Sequence, residues 1–200
     1  MMINILIIFF TVCMFVLYGI SLKKNPLNTK KLVVIGMYCA ISFLLYLIHF
    51  ISYPKGGGIL LFSMLPIMLL SIFYGPTTGV TGGLIFGLLK LLNGAFIIHP
   101  VQFLLDCILA NMAFGLAGIL GNDTRLKINI GSFIAVVLSV FISIISGVVF
   151  FGQYAPSGMN VWIYSCAYNI SSVGVEGILS IIVMNFLPLV KLKRLAIKQN

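Results

Sequence analysis

The sequence predicts an all-α integral membrane protein, and three observations carry that prediction. Apolar residues make up 61% of the 200-residue chain and charged residues only 8%, against about 25% charged in soluble domains. The mean hydropathy is +1.20. The apolar segments run for roughly 17–25 residues, the length a helix needs to cross a bilayer and far longer than the alternating strands of a membrane barrel. Ten of the twelve Lys and Arg residues fall in three clusters between or beyond these segments. The net charge of +9 is therefore a topology signal, and no nucleic-acid partner is indicated.

Residues 3–22 form the first apolar run, closed by Lys23 and Lys24. A secretory signal carries positive charge before its apolar core and small residues at a cleavage site. Neither is present, so the run reads as a retained helix whose carboxyl end is inside. KKNPLNTKK at 23–31 is a cytoplasmic turn. The second span, Leu32 to Tyr53, ends at YPKGGG, where Pro54 and three glycines break the helix and make a flexible outer loop. This span carries His49, expected as a hydrogen-bonded interfacial residue. It also carries Gly36 and Ala40 on one face, a small-residue pair that lets another helix approach closely. The third span, Ile59 to Tyr74, turns at Gly75-Pro76-Thr77-Thr78 into a fourth. Glycines 79, 82, 83 and 87 of the fourth recur at helical spacings and suit close backbone packing. Lys90, near its outer end, is expected to snorkel to the headgroups, with neutralisation of Asp106 as the other reading.

The fifth run, Phe96 to Gly121, FIIHPVQFLLDCILANMAFGLAGILG, joins a membrane-length apolar stretch to a polar face. Pro100 suits the first turn of a helix, so His99 marks its start and Asp106 lies two turns in. At about 100° per residue His99 and Asp106 are almost in line, with Gln102 about one sixth of a turn aside. A carboxylate flanked by apolar residues is costly in hydrocarbon unless it faces a partner, water or a ligand. After GNDTRLK at 121–127, a sixth span covers Ile128 to Phe151. The loop FGQYAPSGMNVWIY carries no Lys or Arg and belongs outside. The last span, Tyr164 to Leu187, places Asn169 and Glu176 on one face, and the basic tail KLKRLAIKQN belongs inside. With seven spans, His99, Asp106, Tyr154, Trp162, Tyr164 and Asn169 all fall near outer ends, where they can converge on a pocket.

Several chemistries are excluded. No G-x-x-x-x-G-K-[ST] loop, H-E-x-x-H or G-x-S-x-G occurs, and Asp106, Asp123 and Glu176 are the only acids. The chain is not its own ATPase, an enzyme is not indicated, and no cofactor is called for. Cys13, Cys39, Cys107 and Cys166 lack C-x-x-C spacing and read as small buried thiols, with no metal site. What remains is a binding chemistry of carboxylates, amides and aromatic rings, suited to a flat, partly cationic small molecule.

HPVQFLLDCILANMAFGLAG resembles the signature segment of the thiamine-specific substrate-binding (S) component of energy-coupling factor (ECF) transporters. LPIMLLSIFYGPTTGVTGGLIFGLL and SGVVFFGQYAPSGMNVWIYSCAYN resemble further stretches of that family, in the same order. The resemblance implies a six-helix S-component bundle over residues 32–188, preceded by an extra transmembrane helix and basic turn at 1–31 and followed by a cytoplasmic tail at 189–200. It implies a multi-pass protein of the bacterial cell membrane, with a cytoplasmic carboxyl terminus, that captures thiamine from outside. Its partners would be a transmembrane coupling subunit and two ATPase subunits.

By the same resemblance, Asp106 faces the aminopyrimidine, Gly147, Tyr164 and Asn169 line the pocket, and Phe151 stacks on the thiazolium. Gly36 and Ala40 correspond to a small-residue docking motif. His99, Gln102 and Glu176 join the candidate site by position. Cys107 stands where the family has an aromatic, Ser143 near a frequent histidine, and GGGILLF lacks a Trp/Glu pair. Those three losses would weaken thiamine binding or redirect it to a thiamine-like aminopyrimidine. A solitary ion-coupled carrier of a small cationic metabolite, using Asp106 or Glu176, and a non-transporting scaffold are the competing readings.

Overall fold

The computed structural model describes residues 2–53, 57–189 and 191–193. In chain order these form α1 (Met2–Lys24), α2 (Thr29–Tyr46), β1 (His49–Ser52), β2 (Gly58–Leu60), α3 (Leu65–Tyr74), α4 (Pro76–Leu92), α5 (Pro100–Phe114), α6 (Arg125–Phe150) and α7 (Val161–Phe186). By length and composition α1, α2, α6 and α7 can each cross a membrane. The shorter α3, α4 and α5 make the centre, where Ile67, Met68, Leu70 and Phe86 are completely buried.

Glycines set how closely α4 and α5 approach. A Cβ at Gly83 would strike the carbonyl of Asn111, one at Gly87 that of Cys107, and one at Gly115 the backbone of Gly79 and Val80. The two helices therefore touch backbone to backbone, as the glycine spacing predicts. Outside this centre α1 is held by two hydroxyl pairs, Tyr18 with Thr81 and Ser21 with Thr77, both at 2.7 Å. Cys39 and Cys107 are buried, as expected, but Cys13 lies exposed on α1.

The second and third spans differ from expectation. α2 stops at Tyr46, and the next residues form an antiparallel hairpin pairing His49 with Leu60 and Ser52 with Gly58. The run His-Phe-Ile-Ser-Tyr holds two aromatic residues and one β-branched one, types found often in strands, and its pairing with Gly58–Leu60 makes it a strand. α3 then has only 10 residues, about 15 Å of helix against a hydrocarbon core of about 30 Å. It is a half-length helix sheathed by its neighbours. Residues 54–56, the centre of the expected glycine loop, lie outside the described residues.

At the far end of the bundle, Asn122 donates to Ile72 O at 2.7 Å and Lys193 Nζ donates to Asn122 Oδ1 at 2.7 Å. The loop after α5, the end of α3 and the start of the basic tail thus share one end. Residues 194–200, the rest of that tail, lie outside the described residues.

Candidate functional site

A cavity of about 220 Å³ opens among α4, α5, α6, α7 and the β hairpin, at the end away from Asn122 and Lys193. Its chemistry is mixed. Asp106, Glu176 and Lys90 line it together with the amides Gln102, Asn111 and Asn169 and the rings of Tyr46, Phe96, Phe151, Tyr164 and Tyr168.

Two departures from regular α-helix shape this cavity. In α5 the turn Leu104–Leu109 is a π-helix, and Asp106 sits within it; in α7 the turn Ile170–Gly174 is a π-helix lying between Asn169 and Glu176. A π-turn widens the helix by one residue, turns side chains out of register and frees a backbone carbonyl. Inside a membrane each freed carbonyl must find a donor within the protein. Asn111 Nδ2 serves both Asp106 O and Cys107 O, each at 2.9 Å. On α7, Tyr53 of the hairpin reaches Ser171 O at 3.4 Å, while its ring meets Tyr168 edge-on at 5.5 Å. The hairpin is thereby seated over the second π-turn, and Gly57, Gly58 and Leu60 close that side of the cavity.

Most residues proposed from sequence meet here. Gln102 Nε2 donates to Asp106 Oδ2 at 2.8 Å and to Phe96 O at 3.3 Å, tying the carboxylate to the rim. Asn169 Nδ2 donates to Ser165 O at 2.9 Å and Ser143 O at 3.3 Å, clipping α7 to α6. Gly147 makes that crossing possible, since a Cβ there would meet Ser165 Oγ. Phe151 forms an aromatic rim with Phe96 at 6.3 Å and Tyr154 at 6.0 Å. Glu176, 2% exposed, accepts from Ser63 N at 2.7 Å and Ser63 Oγ at 2.8 Å. The preceding residue, Phe62, has φ of 53°, a left-handed conformation costly for a ring-bearing residue, so Glu176 anchors a strained turn as well as lining the cavity.

His99 does not join them. Its backbone is extended (φ −153°), its Nδ1 accepts from Val101 N at 3.1 Å, and its ring stacks on Phe150 at 5.0 Å. The helical projection that aligned it with Asp106 starts one residue too early, because a capping residue is not yet helical. His49 reaches the cavity mouth from β1 rather than from a helix. Trp162 is 56% exposed and is not among the lining residues.

Lys90 reverses its expected orientation. Its Nζ points inward, donating to Asn111 Oδ1 at 2.8 Å and lying 4.7 Å from the ring centre of Phe86 and 5.3 Å from that of Tyr46. It does not pair with Asp106 either; the ion pair among the described residues is Lys127–Asp123, on the surface. A usable signal was present: Lys90 follows Gly83 and Gly87 at helical spacing, on the face that packs against α5. Asn111, a lone amide in an apolar run and 1% exposed, was likewise missed, as were Tyr46, Ser63 and Tyr168.

Membrane-length helices around a cavity of this size and polarity define a multi-pass membrane protein with an internal small-molecule site. A profile of the thiamine transporter protein family matches residues 32–196, and the chain belongs to that family. α1 lies outside the matched stretch. Two curated relatives agree. The thiamine transporter ThiT of Bacillus subtilis is 38% identical, with 70% of this chain and 80% of the relative covered. The thiamine transporter ThiT of Lacticaseibacillus paracasei is 28% identical, over 79% of this chain and 88% of the relative. The solved structure of ThiT from Listeria monocytogenes superposes with a TM-score of 0.68 at 24% identity, covering 79% of this chain and 94% of that one. That likeness establishes the shared fold. These are transporters, not enzymes.

Proposed function

We propose that this chain binds thiamine, or a thiamine-like aminopyrimidine, in the cavity and serves as the substrate-capturing subunit of an ECF-type importer. The observation that carries the reading is Asp106, set in a π-turn, lining a cavity whose other walls hold Phe151, Tyr164 and Asn169. A carboxylate offers paired acceptors to the amino edge of an aminopyrimidine, and charge-assisted bonds of that kind are the strong ones. Phe151 and its neighbours offer ring faces to a heteroaromatic cation. Two carboxylates against one ammonium leave the walls with an excess of negative charge if all three are ionised, which favours a cationic guest. Glu176 and Gln102 hold the walls in place and Gly147 lets α6 and α7 close; His99 caps α5 and acts at a distance.

Energy for release must come from elsewhere, because the sequence contains no nucleotide-binding loop. A coupling subunit and two ATPases are the partners proposed, docking on the face of α2 that carries Gly36 and Ala40. Both residues are exposed, and a Cβ at Gly36 meets nothing within 4 Å. The carboxyl terminus is placed in the cytoplasm and the cavity mouth outside, following the Lys/Arg asymmetry. Residues 1–31 are proposed as an added helix beside a six-helix unit spanning 32–188.

Isothermal titration of the purified protein with thiamine, and separately with its hydroxymethyl-pyrimidine precursor, tests the substrate. One-to-one binding of either is expected. Heat from neither sinks the reading. Proton-driven uptake by the chain alone in vesicles would instead identify a solitary carrier.

A further inference from the structure

An ammonium, that of Lys90, stands among the cavity walls, and it pairs with neither acid there. We infer that Lys90 and Asn111 form a brace that fixes the π-turn of α5 and thereby aims the Asp106 carboxylate, which makes Lys90 a positioning residue for the ligand. This inference rests on the proposed role of Asp106.

The geometry runs as a chain of donors. Lys90 Nζ donates to Asn111 Oδ1 at 2.8 Å, and the same amide's Nδ2 donates to Asp106 O and Cys107 O at 2.9 Å each. Every polar atom of the Asn111 side chain is engaged. The ammonium also fixes which way round that amide lies. Flipped, Asn111 would set its oxygen against two carbonyls and its NH2 against the ammonium, a reversal with unlike partners lost on both sides. Without Lys90 the amide oxygen is an unpaired acceptor, 1% exposed, and the hold on the two carbonyls loosens.

Those two carbonyls belong to the π-turn itself. Were Leu104–Leu109 to relax to α-helix, every side chain before the turn would rotate by about 100° relative to those after it. Gln102 and Asp106, four residues apart, would remain neighbours, but the pair would swing away from its present direction relative to Asn111 and the rest of α5. The brace also lies within the close crossing of α4 and α5, where Gly83 faces the carbonyl of Asn111 and Gly87 that of Cys107. Lys90 is steadied there by the faces of Phe86 and Tyr46, contacts that favour a cation kept from water.

The sign of one substitution separates a brace from a bystander. Lys90 carries the same charge as thiamine, so if it acts only through its field, Lys90→Met strengthens thiamine binding. If it braces Asp106, Lys90→Met weakens binding, by roughly tenfold for the loss of one charge-assisted bond. The brace further requires that Lys90→Met add little once Asn111→Ala or Asp106→Asn is in place, as coupled residues do. Amide hydrogen exchange of the 104–111 peptide, without ligand, reads the π-turn directly and should speed up in Lys90→Met while the α6 peptides stay protected. Titration calorimetry with thiamine that gives unchanged or tighter binding in Lys90→Met overturns the inference. So does full additivity with Asp106→Asn. If the parent protein binds no thiamine, the proposed function fails, and exchange at 104–111 still decides the brace: equal protection in parent and Lys90→Met excludes it.

Discussion

Gln102 and Asp106 stand one helical turn apart and are joined by a 2.8 Å hydrogen bond from the amide nitrogen to Oδ2. Gln102 is 3% exposed and also accepts from Ile98 N at 3.2 Å, so its amide cannot turn away. The carboxylate is therefore held before any ligand arrives, which lowers the ordering cost of binding.

The first prediction follows from that preorganisation. Asp106→Asn keeps the shape of the side chain but removes its charge and half of its acceptor capacity. Loss of a charge-assisted bond costs about 1.5–3 kcal/mol, or roughly ten- to a hundredfold in thiamine affinity. The fold should persist, so the melting temperature without ligand changes little. Calorimetric titration checks it, and equal affinity in parent and variant would remove Asp106 from the site.

Gly87→Ala tests the close crossing of α4 and α5. The new Cβ lands on the carbonyl of Cys107, backbone that cannot swing aside as a side chain does. Overpacking of this kind costs roughly 1–3 kcal/mol. Because Cys107 belongs to the π-turn beside Asp106, thiamine affinity should fall with stability. Thermal unfolding in detergent measures the first effect and titration the second; a variant as stable as the parent would mean the helices separate without penalty.

Orientation is open to a direct check. A cysteine at Ser157, in the exposed loop before α7, should react with an impermeant reagent in intact cells, in a background where exposed Cys13 is replaced by Ser. A cysteine at Gln199 should react only after the membrane is opened. The reverse pattern would invert the topology argued from Lys and Arg.

What could be read in the sequence was what periodicity and cost record. The glycine face of α4 and the isolated carboxylate of Asp106 both stand out, because a bare backbone stripe and a charge in hydrocarbon each need a partner. The hairpin escaped because Tyr46 to Tyr53 is as apolar as a helix end, and only pairing with Gly58–Leu60 makes it a strand. The π-turns escaped for a deeper reason. They leave no periodic signature, being held by side chains outside the turn, Asn111 backed by the more distant Lys90 in one case and Tyr53 in the other. Assigning Lys90 to the headgroups weighed its depth along α4 but not its side, although Gly83 and Gly87 mark that side as the inner one.

Gly36 gives the cleanest test of a partner. On α2 it is exposed, a Cβ added there meets nothing within 4 Å, and its neighbours Val33, Met37 and Leu44 are each at least 60% exposed. Nothing within the chain needs the position to be small, and lipid accepts a larger side chain as readily as a glycine. Gly36→Leu should therefore leave the melting temperature unchanged and the thiamine affinity within about twofold, since a surface substitution away from any packed feature alters stability by no more than about 0.5 kcal/mol. If α2 is the docking face, a backbone must come close at this residue, and the leucine blocks it. Co-purification with the coupling subunit and ATPases, and thiamine uptake by cells, should both be lost. Uptake at the parental rate in Gly36→Leu would move the docking face elsewhere on the bundle, while a fall in thiamine affinity would show that this face supports the cavity instead.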